Sequence, residues 1–550
     1  MTSGHRTRRL AGIALATAAA VGLAACTTST TDDSGSNDTG DGGGGDTLTI
    51  GTSDVIVSLD PAGSYDNGSF AVQNQVFPFL LNTPYGSPDV VPDIAESAEF
   101  TSPTEYTVTL KPDLTWANGN PLTSSDVKFT FDRTLAINDP NGPASLLYNL
   151  DSVEAVDDLT VVFHLKAPND VIFPQILSSP AGPIVDEDVF SADSLTPADE
   201  IVEGNAFGGQ YSITSYRENE LVVYQANPSY EGVLGAAKTP NIEVTYYADA
   251  SNLRLDIESN QIDVAFRSLS SADIASLRTN DNVQVVDGPG GEIRYIVFNF
   301  DTQPYGAGTP EADEDSALAV RQAVAHLLDR EALSTEIYDG TYTPLYSYVP
   351  SGLTGAVEPL LDLYGDGSGG PSVDDATAVL EDAGVDTPVT LNLQYSNDHY
   401  GPSSADEYAL IESQLEASGL FEVQLETTEW GQYSEDRVND LYPAYQLGWF
   451  PDYSDADNYL APFFVTESFL QNHYANAEVN DLIVQQATTE DEAERTALIE
   501  QIQELVAAEL PTVPYLQGAQ VAVTGTNVTG ASDTLDASFK FRYAALALSE

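Results

Sequence analysis

One cysteine stands in 550 residues, Cys26, and that single thiol limits what can hold the folded chain together. No disulfide can close within the chain and no thiolate zinc site can form, so apolar packing and hydrogen bonding must carry the fold alone. Ahead of Cys26 lie a basic start with Arg6, Arg8 and Arg9 and an Ala-, Leu-, Ile- and Val-rich stretch from Leu10 to Leu23. That stretch is too short to span a bilayer comfortably. Residues 1–25 therefore read as a cleaved signal rather than a transmembrane helix.

Small residues at Ala24 and Ala25 before Cys26 resemble a bacterial lipobox, in which the cysteine is acylated and becomes the new N-terminus. The alternative is an ordinary signal with a chance cysteine, and the position of the only cysteine argues against it. Arg8-Arg9 fits a twin-arginine exporter, whereas Ala11 and Gly12 stand where that signal carries bulky apolar residues, so the export route stays open. Residues 26–46 hold no large apolar side chain and have nothing to bury, which predicts a disordered tether with folding from Thr47.

Acidic residues number 85 against 19 basic ones, a formal charge of −66, which excludes nucleic acid as a partner. Hydrophobic residues still make up 42%, so the chain is globular with an acidic coat rather than an acidic disordered polymer. Lysine is confined to Lys111, Lys128, Lys166, Lys238 and Lys540. Such a surface repels itself in dilute salt and is screened in molar salt, where the Debye length falls to about 3 Å; a saline habitat is the expectation. The five histidines, His5, His164, His326, His399 and His473, show no metal-ligand spacing.

The length beyond the tether suits two or three domains, and the pattern is mixed α/β. Thr47–Thr52, Tyr106–Leu110, Thr160–Leu165 and Ile242–Tyr246 alternate or run apolar like strands. Helical spacing marks Ser124–Leu135, with Thr123 as cap before Asp126, together with Ala317–Leu328, Ala405–Ala417 and Asp491–Ala508. Strands interleaved with helices predict open α/β lobes whose ligands sit in crevices at strand ends.

In chain order, Leu59-Asp60-Pro61, the stretch from Val91 to Ser97 (VPDIAES) and the block from Trp116 to Val127 (WANGNPLTSSDV) are followed by Asn227-Pro228-Ser229-Tyr230. Then come Val320-Arg321-Gln322-Ala323-Val324 with Asp329-Arg330-Glu331, and Gly448-Trp449-Phe450-Pro451-Asp452-Tyr453. One such tripeptide is weak, but the ordered series, spread over roughly residues 47–530, resembles the family 5 extracellular solute-binding proteins, the peptide/nickel-binding family of ABC importers. One departure is Phe207-Gly208-Gly209-Gln210-Tyr211, where the family often has a Gly-Thr-Gly-Pro-Tyr turn. The resemblance implies an α/β fold of the type II periplasmic-binding-protein kind: two α/β lobes with an additional domain and a ligand cleft between the lobes. The expected partition is 47–82, 207–296 and 516–550 for lobe I, 83–206 for the additional domain and 297–515 for lobe II.

Most of the matching segments read as turns and helix ends. Arg321, Asp329, Arg330 and Glu331 are expected to form surface or interlobe ion pairs. The segment from Tyr445 to Phe464 (YQLGWFPDYSDADNYLAPFF) differs, because aromatics mixed with carboxylates and amides are costly to bury unless part of them faces a cleft. In peptide-binding members an aspartate here pairs with the ligand's α-ammonium, and Asp452 is the matching residue, with Trp449 and Tyr453 beside it. His399, in a segment that resembles one lining the cavity in some relatives, and Trp430 are further candidates. Arg294, opening the strand RYIVFNF, meets either a ligand carboxylate or a neighbouring acid, and so acidic a chain favours the acid. No basic residue between Tyr445 and Phe464 stands ready for a peptide C-terminus.

The implied role is capture rather than catalysis. A peptide or other small solute is closed between the lobes and delivered to permease subunits with cytoplasmic ATPases, by a monomer tethered through Cys26 to the outer face of the cytoplasmic membrane. No cofactor, catalytic residue or metal is called for. A nickel chelate or an oligosaccharide in the same cleft is the nearer alternative, and a surface-tethered carboxylate hydrolase the farther one, since acids so abundant form pairs by chance.

Overall fold

Leu48 and Ile50 are apolar residues two apart in Thr47–Thr52, and both are buried there, as the side-chain alternation of a strand requires. That strand is the centre of a seven-stranded sheet in the computed structural model, which describes residues 47–401, 403–538 and 540–549. The signal, Cys26 and the tether lie outside the described residues. Thr47–Thr52 pairs parallel with Asn241–Tyr246 and Val264–Phe266, and the sheet runs Val283–Gly288, Gln520–Gly525, Val264–Phe266, Thr47–Thr52, Asn241–Tyr246, Leu221–Ala226, Tyr211–Arg217. Three distant stretches of sequence thus share one sheet.

A second sheet of six strands has the order Tyr342–Pro344, Thr512–Gly518, Ile293–Phe298, Ala444–Trp449, Val389–Ser396, Phe421–Thr428. Every residue of Ile293–Phe298 is buried, the near-continuous apolar run expected of a strand covered on both faces. Val389–Ser396 and Phe421–Thr428 pair parallel across the helix Ser404–Ala417, a βαβ crossover. The third sheet is antiparallel, in the order Ala95–Ser102, Glu105–Leu110, Thr160–Leu165, Leu150–Asp157. Its strands bury alternate residues, and the helix Ser124–Ile137 packs beside it. That helix opens on a capping box in which Thr123 accepts from the first turn and Asp126 reaches back to the Thr123 N–H, which satisfies two otherwise orphaned donors.

Each sheet has its own apolar core. Val185, Phe190 and Ile201, from the last part of the 83–206 segment, pack into the core of the seven-stranded sheet rather than the antiparallel one. Arg133 of the capped helix reaches Asp60 with two bonds, Nη1 to Oδ1 at 2.8 Å and Nη2 to Oδ2 at 2.5 Å, and both side chains are buried. Leu59-Asp60-Pro61 is therefore more than a turn, since it ties the helix of one core to a loop of another.

The two large sheets are joined by two short passages, Pro289–Glu292 and Ala519. Ile293–Phe298 and Thr512–Gly518 lie wholly in the six-stranded sheet. Arg294 interrupts the apolar run of its strand yet is buried there, because Glu292, Glu407 and three tyrosine rings surround it. At Gly290 a Cβ would stand 2.1 Å from the Gly518 carbonyl oxygen, so the two passages touch backbone to backbone only because this residue has no side chain. The Gly518 N–H donates to the Glu292 carbonyl at 2.9 Å and the Gln517 amide to the Gly290 carbonyl at 2.8 Å.

Arg321 and Arg330 are not surface ion-pair formers. Both are buried: Arg321 donates to the Glu509 carbonyl at 2.9 Å and lies over Phe300, and Arg330 donates to the carbonyls of Leu345 and Pro514. Burial lowers each guanidinium to about 10. Asp329 caps the turn after it through the Ala332 N–H. Gln210, at the departure from the family turn, is also buried, and its amide donates to the Gly235 carbonyl at 2.8 Å.

Candidate functional site

Ala444–Trp449 ends at the edge of a cavity of about 560 Å³. Beyond the strand the chain turns through Pro451 and Asp452 and enters the helix Asp457–Phe464, whose second residue, Asn458, organises the turn. Its Oδ1 accepts from the Trp449 indole N–H at 3.0 Å and from the Asp452 backbone N–H at 2.8 Å, while its Nδ2 donates to Asp452 Oδ2 at 3.1 Å. One buried amide thus fixes the indole, the turn and the carboxylate together.

The other carboxylate oxygen, Asp452 Oδ1, accepts from the hydroxyl of Tyr65, which belongs to the segment between the first strand and the helix Asn67–Val76. This bond joins groups attached to the two large sheets across the cavity. Asp452 is half-buried, and loss of water raises its carboxyl above the ordinary value, an effect that the bonds from Tyr65 and Asn458 partly offset. Burial and the facing carboxylate raise the Tyr65 phenol as well. Both partners of Asp452 are neutral, so its charge is hydrogen-bonded without being neutralised.

Trp449 packs edge-on against Phe463 and beside Phe469. His399 and Trp430 face the same cavity as a stacked pair, with ring centroids 3.7 Å apart and planes 5° from parallel. Tyr453 lines the cavity too, but its ring packs against the core of the antiparallel sheet and its hydroxyl donates to Asp457 Oδ2 at 3.0 Å. Asp452, Trp449, Tyr453, His399 and Trp430 are thus brought together. Arg294 is not among the lining residues. It donates to the Tyr400 carbonyl at 2.8 Å and stands 3.1 Å from Glu292, the neighbouring acid that the composition favoured.

Three lining or supporting residues escape a reading of the sequence: Tyr65, Asn458 and Lys540. Asn458 stands in the polar-aromatic segment and has a local signal, an amide six residues after the carboxylate it holds. Tyr65 lies 387 residues from Asp452 and has none. Lys540 is buried at the cavity wall, where its Nζ donates to Ser178 Oγ at 2.7 Å. It sits with Arg542 in an aromatic stretch, FKFRY, and a rare lysine in such company is a visible signal.

The cavity walls are therefore largely aromatic, with the carboxylates of Asp452 and Asp66 and one lysine, Lys540, among the lining residues. The volume lies within the range of about 300–1,000 Å³ typical of small-molecule sites. Among the described residues no helix is long and apolar enough to cross a membrane.

The dipeptide-binding protein of Escherichia coli strain K12 is 23% identical over 475 residues, covering 82% of this chain and 84% of its own. The solved structure of HbpA2 from Haemophilus parasuis superposes with a TM-score of 0.76 at 22% identity, over 92% of this chain and 100% of that one. The ABC transporter-associated periplasmic binding protein DppA from Helicobacter pylori, in complex with the peptide STSA, gives 0.69 at 19% identity, over 92% and 98%. These likenesses class the architecture as the type II periplasmic-binding-protein fold, with two α/β lobes, an additional domain and a cleft between the lobes. The family model for bacterial extracellular solute-binding proteins, family 5 middle, matches residues 89–470, and the chain belongs to that family.

Proposed function

We propose that this protein captures small peptides outside the cell and delivers them to a membrane permease driven by cytoplasmic ATPases. The observation that carries the reading is Asp452: a carboxylate in a cleft, held by two neutral donors and facing a cavity that joins both lobes. A ligand ammonium completes it with a charge-assisted hydrogen bond that water and salt weaken far less than a surface pair. The Escherichia coli and Helicobacter pylori relatives bind a dipeptide and the peptide STSA, which supports the same ligand class here.

Closure follows from contacts on both lobes, because a ligand shifts the open–closed equilibrium only by binding the closed form better. His399 and Trp430 offer a stacked aromatic face for a side chain, and Trp449 another. Acylated Cys26 keeps the protein at the outer face of the cytoplasmic membrane, with residues 26–46 setting its reach. The protein acts as a monomer and performs no catalysis.

A thermal-shift screen in molar salt tests this, with di- to hexapeptides, oligosaccharides and nickel chelates on the protein and on Asp452→Asn. Free-amino peptides are expected to raise the melting temperature while N-acetylated ones and the variant do not respond. A response to sugars or chelates alone would remove the peptide and the role given to Asp452.

A further inference from the structure

Among the described residues lining the cavity, Lys540 is the one lysine or arginine, alongside the carboxylates of Asp452 and Asp66. It is 5% exposed, and its hydrogen bonds run to Ser178 Oγ and Asn82 Oδ1, both neutral. Arg542, also buried, stands behind it and donates to the same Asn82 oxygen at 2.6 Å, while its Nε and Nη1 have no hydrogen-bond partner among the described residues. Arg133 grips Asp60, whereas the buried Arg321, Arg330 and Arg437 donate to backbone carbonyls. Acids outnumber bases 85 to 19, yet among the described residues neither Lys540 nor Arg542 has a carboxylate at ion-pair distance. Ser538, 7% exposed, lines the same wall with a hydroxyl that makes no hydrogen bond among the described residues. Burial and Arg542 hold the Lys540 ammonium well below its ordinary range, with Asp536 and Asp93 pulling the other way from a distance. An arriving anion would relieve both causes.

We infer that Lys540, with Arg542 behind it and Ser538 beside it, receives the carboxylate of the ligand whose ammonium Asp452 holds, so that the two charged ends engage opposite sides of the cleft. The inference rests on the peptide reading and sharpens it: the ligand is a short peptide with both ends free. Asp452 is attached to the six-stranded sheet, whereas Lys540 leads into Phe541, which stacks on Phe266 of the seven-stranded sheet with centroids 4.0 Å apart. A zwitterion bridging the two therefore favours the closed form through each end separately, and a ligand that lacks either end loses closure as well as a contact.

Isothermal titration of the protein in molar salt, with di-, tri- and tetra-alanine as free acids and as C-terminal amides, tests this. The acid of the best-fitting length should bind about thirtyfold or more tightly than its amide, as expected when one partner of a buried charge pair is removed. Lys540→Met should bind acid and amide alike, and Lys540→Arg should restore the preference. A second measurement needs no variant: titrations in buffers of different ionisation enthalpy should show proton uptake with the acid and less with the amide. Equal affinity of acid and amide for the unaltered protein would overturn the role of Lys540 and leave peptide capture standing. A preference for the acid that survives in Lys540→Met would also overturn it, by placing carboxylate recognition elsewhere. No binding of either form at any length would bring down both readings.

Discussion

Asp60 and Asp452 are both carboxylates withdrawn from water, and they are completed in opposite ways. Asp60 is fully buried, gripped by both Arg133 nitrogens, and takes a further bond from the Thr196 N–H at 2.7 Å. Among the described residues Asp452 has only neutral donors, and it opens on a cavity. A charge completed inside the protein is scaffolding, whereas a charge left un-neutralised at a cavity is a vacancy for a ligand. Withdrawing a carboxylate from water costs several kcal/mol unless it is compensated, so the protein carries the cost at Asp452 until a cation arrives.

The largest effect expected from this contrast lies on the scaffold side. Asp60→Ala leaves the Arg133 guanidinium buried without its partner and also removes the cap of the turn Pro61–Gly63, so it should cost about 3–5 kcal/mol in denaturant unfolding. Asp452→Asn should do the reverse. Because its carboxyl is raised in the fold, removing the charge should leave unfolding stability unchanged or slightly higher, while affinity for free-amino peptides falls about thirty- to hundredfold by titration calorimetry. The contrast breaks if Asp452→Asn loses stability on the scale of Asp60→Ala. The same charge sets a pH limit on binding. The ligand ammonium pairs with ionised Asp452, so affinity should fall as pH drops through the raised pKa of the empty site, starting above the ordinary carboxylate value of 3.8.

What the sequence discloses follows the range of the interaction. The capping box of Thr123 and Asp126 spans three residues, and the helix it opens was legible together with its start. The strands at Thr47, Glu105, Thr160 and Asn241 declare themselves by alternation within six residues. The sheet that receives Ile293–Phe298 does not, since its neighbours begin at Ala444 and Thr512, and Arg294 looks polar until Glu407 is seen beside it. Arg321 and Arg330 misled for a related reason: a guanidinium can satisfy itself on carbonyl oxygens, and nothing local announces which carbonyls the fold will bring. In the site, the Trp449 to Asn458 half is one continuous segment, while Tyr65 and Lys540 arrive from the two ends of the described chain.

A smaller effect sharpens the contrast at its edge. Tyr65→Phe removes the donor that crosses the cavity to Asp452 and leaves the carboxylate and its Asn458 support in place. The empty protein should open, seen as a larger radius of gyration in solution scattering. Peptide affinity should drop about five- to tenfold, the worth of one hydrogen bond to a charged group. An unchanged radius would mean that the bond does not hold the lobes together without ligand.

The smallest effect comes from a third carboxylate, Asp457, five residues beyond Asp452. It is buried beside Asp455, and loss of water together with that neighbouring charge pushes it up to about 6, while the hydroxyl of Tyr453 and the amide of Gln486 bond to it. Asp455 itself is gripped by Arg495 at 2.6 Å, so the one guanidinium is committed to the nearer acid. A carboxyl raised in the fold stabilises it fully below the unfolded value of 3.8 and surrenders that stabilisation as pH climbs towards 6. Above that the ionised group is a net cost. Asp457→Asn keeps an oxygen acceptor and cannot ionise, so it should be more stable than the unaltered protein at pH 8, and its advantage should shrink by about 1 kcal/mol on going to pH 5. Calorimetric melting across that range reads the slope directly. A constant difference would mean that Arg495 neutralises both aspartates, which would make Asp457 a completed charge like Asp60 rather than an incomplete one like Asp452.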